Sequence, residues 1–370
     1  MRLVIVGCGG FIGSHLLDRL LQDDTISIDG WDPQTGKIAR HLSNPRLRLR
    51  RSALTSSRDL ADFRRAARTA DAVINLAAIC NPSEYNLNPI ATIHSNFLEP
   101  LRIVDICAAQ RVWLIHFSTS EVYGRTIASY AGDADYSDPA LYELDEDATP
   151  LIMGPIRNQR WSYASAKQLM ERYIFAQHKQ AGLPFTIVRP LNFLGPRMDY
   201  IPGYDGQGVP RVLACFMTAL LSDQPMRLVD GGTAQRTFVS IYDAVDALER
   251  MIRNRDRAAN QIFNIGNRHN EVSMRELAEL MREAYAACTG DPSYNSHPIT
   301  FVTSRDFYGE GYEDCDRRMP NVEKAHELLG WRASMPLREM LFETVRHYYF
   351  QYRDWPDAPQ QARLEDVTGV

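Results

Sequence analysis

A short apolar run, Leu3–Val6, breaks directly into Gly7-Cys8-Gly9-Gly10-Phe11-Ile12-Gly13, and Ser14–Gln22 then carries apolar residues at helical spacing. A strand that ends in a glycine turn and re-enters the chain as a helix is the opening βα unit of a dinucleotide-binding sheet. Glycines at 7, 10 and 13 let the backbone turn tightly and approach a pyrophosphate at the helix N-terminus. Asp32 closes the next apolar segment, Ile26–Asp32, nineteen residues past Gly13. A carboxylate there can hydrogen-bond both ribose hydroxyls and disfavours a 2′-phosphate, so the expected cofactor is NAD rather than NADP. A simple turn role for Asp32, ahead of Pro33, stays open at this point.

The alternation continues along the chain. Ala72–Ala78 and Trp113–Ser118 read as buried strands separated by a helical stretch, Thr92–Ala109. Ser162–Gln180 reads as a long amphipathic helix capped by Gly182, and Phe185–Arg189 as a strand broken by Pro190. Strands alternating with helices of this length predict an α/β fold, a Rossmann-type doubly wound parallel sheet with right-handed crossovers. Beyond Pro190 the texture changes. Gly195–Gly208 is loop-like, Val209–Ser222 helical, Met226–Leu228 a short strand, Ser273–Ala286 a helix and Ile299–Val302 a strand. These are assigned to a smaller C-terminal α/β substrate-binding lobe, while Arg236–Val239 and Ile262–Gly266 are expected to return to the large sheet. The domains then run 1–190 plus about 236–266 for NAD binding, about 191–235 plus 267–350 for the substrate lobe, and 354–370 as a polar tail. Asp133–Asp147 is an acidic insertion, readable as a solvated loop or as a flap over an active site.

Composition narrows the partners. A chain of 370 residues can bury a substantial core, and its net charge of −5 argues against a nucleic-acid or anionic-membrane surface. Any phosphate must therefore be held by a few placed arginines. The six cysteines form no CxxC pair and the nine histidines no HExxH or other ligand spacing. Neither a disulfide framework nor a metal is expected. The apolar run Val212–Leu221 is too short to span a bilayer, and a first strand starting at Arg2 leaves no room for a signal peptide. The expectation is a soluble protein of a reducing cytoplasm.

Tyr163 and Lys167, in Tyr163-Ala164-Ser165-Ala166-Lys167, stand four apart and so share one face of the predicted helix. The ammonium is then expected to lower the phenol's pKa from about 10. Thr119, in Ser118-Thr119-Ser120-Glu121-Val122-Tyr123-Gly124 at a strand end, would bind the reacting hydroxyl. Read together, Tyr163 is a general base for an alcohol losing hydride from its carbon, and Lys167 tunes it and holds a ribose. A tyrosine on an amphipathic helix is more often a packing residue. The lysine on its face and the threonine at the strand end argue for chemistry.

With these motifs in this order, the sequence resembles the extended short-chain dehydrogenase/reductase family, whose members bind NAD tightly and rework nucleotide sugars. Further segments narrow the resemblance: Asn75-Leu76-Ala77-Ala78-Ile79-Cys80-Asn81-Pro82, Arg160-Trp161-Ser162-Tyr163 and Arg189-Pro190-Leu191-Asn192-Phe193-Leu194-Gly195-Pro196-Arg197. Val209–Phe216, Val229–Gly232 and Phe307–Tyr312 add to them. They are similar, over roughly residues 1–350, to the UDP-glucuronate decarboxylase branch that includes the UDP-apiose/UDP-xylose synthases. The resemblance implies NAD-dependent oxidation of UDP-glucuronate, decarboxylation through a UDP-4-keto intermediate, and re-reduction to UDP-xylose or, after ring contraction, UDP-apiose. It also implies a homodimer paired through the helix bearing Tyr163 and the helix before it.

Residue roles follow from the same resemblance. Gly7, Gly10, Phe11, Ile12, Gly13, Leu76, Ala77, Ala78, Asn96 and Pro190 would line the NAD site with Asp32, Tyr163 and Lys167. Arg318 would face the sugar carboxylate, a surface salt bridge being the plain alternative. Ser120 and Glu121 would sit beneath the pyranose, and Arg160 would shape the same pocket. Asn192, Arg211, Arg227, Arg236 and Tyr312 would hold the UDP and the sugar. Cys80 would serve the ring contraction, with a buried apolar cysteine as its alternative. Two positions depart from the pattern: Ser120, where the synthases carry a second cysteine, and Ser52, where many relatives are acidic. Ser120 also lacks the acid that 4,6-dehydratases use on a leaving hydroxyl, and a 4-epimerase needs no arginine aimed at a carboxylate. A catalytically silent dinucleotide sensor would have lost Tyr163 or Lys167.

Overall fold

A computed structural model describes residues 1–131, 136–206, 208–308, 313 and 315–354. The expected polar tail past Asp354, Tyr312, and residues 133–135 of the acidic insertion lie outside the described residues. Seven strands form the central sheet: β1 (Arg2–Val6), β2 (Ser27–Trp31), β3 (Leu47–Arg50), β4 (Ala72–Asn75), β5 (Trp113–Phe117), β6 (Phe185–Pro190) and β7 (Gln261–Ile265). Their order is β7-β6-β5-β4-β1-β2-β3, every pair parallel. β4 and β5 are buried throughout, as strands covered by helices on both faces must be.

Each face has its own core. On one side α1 (Phe11–Leu20) packs Leu16, Leu17 and Leu20 among Val245, Leu248 and Met251 of a helix over Ile241–Arg253. On the other, Phe63 and Ala66 of Ser57–Ala67 join Ile103, Val104 and Cys107 of Glu99–Gln110 and Met170 and Ile174 of Ser162–Ala181. The strand order reverses between β1 and β4, so the loops after them leave toward opposite faces and open a crevice at their carboxyl ends. A third core gathers Phe216 and Leu220 of Val212–Leu221, Met281 of Met274–Thr289 and Val345 of Leu337–Tyr352. It lies beside the parallel pair Met226–Val229 and Ile299–Val302.

Several boundaries differ from expectation for identifiable reasons. Gln235–Thr237 pairs antiparallel with Glu271–Ser273, and Val239–Ser240 pairs with Phe193–Leu194, so Arg236–Val239 does not rejoin the large sheet. The intervening Phe238 N–H donates to the Asn270 carbonyl, which keeps the segment with Glu271–Ser273. Pro190 does not break its strand but is the last paired residue, opposite Ile265. The stretch Thr92–Ala109 is Pro89–Ile93, a π turn over His94–Leu98, then Glu99–Gln110. Pro100 explains the interruption, because it has no N–H to give to the carbonyl four residues back and its ring crowds that carbonyl. Among the described residues no helix is long and apolar enough to cross a membrane.

Candidate active site

The glycine turn closes the crevice from below. Gly7 takes φ +83°, and a Cβ there would stand 2.8 Å from the Ala77 nitrogen, so the ends of β1 and β4 meet only because no side chain intervenes. A Cβ on Gly13 would lie 2.3 Å from the Gly7 carbonyl, and one on Gly9 would lie 2.0 Å from the Gln34 carbonyl. Gly10 is the N-cap of α1 and offers no side-chain hydrogen bond, which leaves the first-turn N–H groups of Phe11, Ile12 and Gly13 for an external anion. Leu76, Ala77 and Ala78 follow β4 directly across from Gly7. Asp32 accepts from the Gly9 N–H at 2.9 Å and from the Gln34 N–H at 2.8 Å. Burial raises its carboxyl against the pull of those amides. The turn role is observed, and each carboxylate oxygen keeps a further lone pair free for an external donor. Gly9 escaped notice because it lies off the 7-10-13 spacing.

This cradle carries a direct expectation. Gly13→Ala should weaken NAD binding by about 100-fold or more, since the turn must shift to admit the methyl group and its amides then leave the anion position. Calorimetric titration of NAD would read it, and wild-type affinity would remove the turn from cofactor binding.

The helix Ser162–Ala181 presents Tyr163, Lys167 and Glu171 on one face, four residues apart and all buried. Lys167 Nζ donates to the Phe117 carbonyl at 2.9 Å, at the end of β5. Thr119 starts the turn Ser120–Tyr123, where its hydroxyl oxygen accepts from the Glu121 N–H at 3.1 Å. The Tyr163 ring stacks on Tyr85, centroids 4.6 Å apart and planes at 6°. The expectation that Lys167 depresses the phenol's pKa is corrected here. Burial drives the Tyr163 phenol far up, nearby Cys80 pushes the same way, and a hydrogen bond with Thr119 opposes them. The ammonium, turned onto the Phe117 carbonyl, stands 6.0 Å from the centre of the Tyr163 ring. Lys167 itself is pulled down to about 8 by burial, which Cys80 and Glu171 partly offset.

A lysine whose folded pKa lies below its ordinary value destabilises the fold fully below that folded pKa, and the penalty fades as pH rises toward 10.5. Lys167→Met should therefore abolish turnover without lowering the thermal midpoint at pH 7. Any stability gain should shrink between pH 8 and pH 10.5. A midpoint well below wild type at pH 7 would contradict this account of the buried charge.

Glu121 joins two arginines from distant parts of the chain. Its Oε1 accepts from Arg318 Nη1 at 2.5 Å, and its Oε2 pairs with Arg160 Nη2 at 2.6 Å. Arg318 also donates to the Gly124 carbonyl at 3.3 Å and is 4% exposed, so the surface salt bridge is excluded. Arg160 lies 5.4 Å over the Tyr85 ring. Ser120 is buried in the turn beside Glu121. Cys80 is exposed, which overturns the buried apolar alternative, and it lies close enough to act on the charges of Tyr163, Lys167 and Arg211. Arg211 precedes Val212–Leu221 and donates to Asp199 at 3.0 Å. Arg227 stands on the short strand Met226–Val229 and Arg236 on Gln235–Thr237, Arg236 reaching the Gln235 carbonyl at 2.8 Å. Asn192 is exposed at φ 45°, its amide on the Thr237 carbonyl at 2.8 Å, and Pro190 is half-buried at the end of β6. Asn96 is fully buried, its amide nitrogen donating to the Ile79 and Thr92 carbonyls at 2.9 Å each and its Oδ1 without a partner among the described residues.

Further groups join the site only in the fold. Arg189 grips Glu171 with two nitrogens, at 2.6 and 3.0 Å, and reaches the Tyr123 hydroxyl at 2.8 Å. That buried network ties the helix Ser162–Ala181 to the turn bearing Thr119. Glu171 carried a signal, being one further turn along the Tyr163–Lys167 face; Tyr85 carried none. Arg317 pairs with both Glu271 oxygens, at 2.7 and 2.6 Å, and lies 4.3 Å over the Tyr142 ring. Within the described part of the acidic insertion, Glu143–Leu144 pairs with Met319–Pro320 beside Arg318 and Leu144 and Glu146 are buried, while residues 137–140 and Asp147 are exposed to solvent. Among the described residues no cluster of His, Cys, Asp or Glu is placed to hold a metal.

The sequence pattern of the NAD dependent epimerase/dehydratase family matches residues 3–266. The UDP-D-apiose/UDP-D-xylose synthase of Oryza sativa subsp. japonica is 46% identical over 366 residues, covering 96% of this chain and 90% of that protein. UDP-D-apiose/UDP-D-xylose synthase 1 of Arabidopsis thaliana is 45% identical over 380 residues, covering 100% of this chain and 95% of that protein. Among solved structures, the PbgP3 protein from Burkholderia pseudomallei superposes with a TM-score of 0.80 at 29% identity, covering 96% of this chain and 98% of its own. UDP-glucuronic acid 4-epimerase from Bacillus cereus, in complex with UDP-glucuronic acid and NAD, gives 0.75 at 21% identity, covering 95% of this chain and 100% of its own. At that identity the likeness speaks to the fold alone.

Proposed function

The chain belongs to the NAD dependent epimerase/dehydratase family, and within it we propose an NAD-dependent UDP-glucuronate decarboxylase that forms UDP-apiose and UDP-xylose. The observation that carries this reading is the meeting of Tyr163 and Thr119 with the buried Arg160–Glu121–Arg318 bridge and an exposed Cys80. It is made in a chain 46% identical to a UDP-D-apiose/UDP-D-xylose synthase.

The cradle that a Cβ at Gly7, Gly9 or Gly13 would fill fits NAD, with Gly10, Phe11, Ile12 and Gly13 toward the pyrophosphate. Leu76, Ala77 and Ala78 border it, Asp32 serves the adenosine ribose, and Tyr163 and Lys167 serve the nicotinamide ribose. Held there, NAD would supply a reversible hydride acceptor for the C4 carbon, and Tyr163 and Lys167 would face the positive charge of its oxidised form. Tyr163, neutral in the resting site, becomes a base only as cationic charge gathers next to it. Thr119 holds the C4 hydroxyl as Tyr163 takes its proton. A ketone at C4 is β to the C5 carboxylate, so carbon dioxide leaves and the electrons pass into the ketone as an enolate. Thr119 and Tyr163 donate hydrogen bonds to that oxygen. Arg318 receives the carboxylate, and Glu121 and Arg160 hold Arg318 in place. Arg211, Arg227, Arg236, Asn192 and Tyr312 hold the nucleotide and sugar, an arginine fork suiting a diphosphate.

Protonation at C5 and reduction give UDP-xylose. Cleavage of C2–C3 by a retro-aldol step, reclosure to the smaller ring and reduction give UDP-apiose, with the Cys80 thiol serving the rearrangement. Cys80→Ala should move product from apiose to xylose with carbon dioxide release retained; an unchanged ratio would remove the thiol from that step. Ser120 favours a second reading, in which decarboxylation yields only UDP-xylose or the 4-keto-pentose, because a hydroxyl replaces the synthases' second thiol. Proton NMR of the anomeric region, with enzyme, NAD and UDP-glucuronate, tests both. Apiose signals or those of its cyclic phosphate support ring contraction, xylose or keto-pentose alone supports the second reading, and an unchanged spectrum defeats both.

The exposed apolar side chains Leu87, Ile90, Ile93 and Leu98, with Leu169 and Phe175 on the catalytic helix, support a homodimer formed across these helices. Free thiols at Cys8, Cys80 and Cys107 support a reducing, cytoplasmic setting.

A further inference from the structure

Residues 76–81, which present Cys80, have no helix or strand of their own. Irregular backbone aims a side chain reliably only where its polar groups are held from outside. Both polar groups of Ile79, the residue before Cys80, are held. Its N–H donates to Ser95 Oγ at 3.2 Å, and its carbonyl accepts from Asn96 Nδ2 at 2.9 Å. Both partners come from the π turn His94–Leu98, whose altered register lets consecutive side chains address one residue of the facing segment. On the other side of Cys80, Asn81 Nδ2 donates to the Tyr200 hydroxyl at 3.3 Å. Tyr200 follows Asp199, the carboxylate that holds Arg211. Cys80 is therefore pinned at both neighbours, by the π turn and by the loop that also anchors Arg211. The thiol itself stays exposed next to Tyr163.

We infer that Ser95, Asn96 and Tyr200 are positioning residues that hold the Cys80 thiol in place for ring contraction and thereby set the partition between contracted and uncontracted sugar. This rests on the role assigned to Cys80 above. Neither Ser95 nor Tyr200 belongs to the proton-transfer or cofactor-binding set, so their loss should redirect product rather than stop decarboxylation.

Ser95→Ala and Tyr200→Phe each delete one hydroxyl, and their combination is the test, with Ser95→Ala alone as the variant if the pair fails to fold. Two quantities are read on the full-length enzyme. One is the apiose to xylose ratio at matched carbon dioxide release. The other is the rate of iodoacetamide alkylation at Cys80, followed by peptide mass spectrometry. Cys8, Cys107 and Cys315 are buried and Cys215 and Cys288 half-buried, so the reagent reaches Cys80 first. The expected result is carbon dioxide release within about twofold of wild type, an apiose fraction down about threefold or more, and alkylation changed by a similar factor. Unchanged ratio and alkylation overturn the inference, as does loss of both products in equal proportion. If wild type makes only xylose, the ring-contraction reading fails by itself. The alkylation rate then decides the positioning alone, a change upholding it and no change overturning it.

Discussion

Tyr163→Phe is expected to reduce carbon dioxide release from UDP-glucuronate by roughly 10³-fold. The substitution keeps the ring, and with it the 4.6 Å stack on Tyr85, while deleting the hydroxyl proposed to take a proton from an alcohol bound at Thr119. The thermal midpoint should barely move, because the deleted hydroxyl sits where burial already opposes its ionisation. NAD affinity should stay within a few-fold, since the glycine turn and Asp32 are untouched. Single-turnover absorbance near 340 nm, read beside carbon dioxide release, locates the block: with the base gone, neither reduced cofactor nor gas should form. Near-normal release would take Tyr163 out of the mechanism.

Arg318→Ala should be the second large effect, and it separates catalysis from folding. The guanidinium is almost entirely buried against Glu121, and removing one partner of a buried ion pair costs about 3–5 kcal/mol when the other is left behind. Arg160 remains on the second carboxylate oxygen, so the loss should fall at the low end of that range. Turnover of UDP-glucuronate should fall by about 10²-fold or more, with NAD binding unchanged. The double variant Arg318→Ala with Glu121→Ala also strips the buried Arg160 of its carboxylate, so it should be no more stable than Arg318→Ala alone. If Arg318 receives the sugar carboxylate, Arg318→Ala stays inactive at temperatures where it is fully folded. Turnover in proportion to the folded fraction would reduce Arg318 to a structural partner of Glu121.

Much of this was legible in the sequence because it is local. Gly7, Gly10 and Gly13 sit on one strand, turn and helix, and Tyr163 and Lys167 on one helix face; covalent geometry and helical pitch alone put them in place. The same local logic placed Asp32 at the end of its strand and Gly182 at a helix end, where it adopts the left-handed conformation expected of a cap. Strand pairing is not local, and Arg236–Val239 was accordingly assigned to the wrong sheet.

Chain spacing thus determined which chemistry-bearing residues exist and which share a turn or a face. Tertiary structure alone decided their charges and their company. It drew Glu121, Arg160 and Arg318 into one buried bridge and laid Tyr85 on Tyr163. It turned Lys167 onto the Phe117 carbonyl, so that burial raises the phenol instead of an ammonium lowering it. The physical reason is that spacing is a property of the chain, whereas desolvation depends on everything packed around a group, and that exists only once the chain has folded.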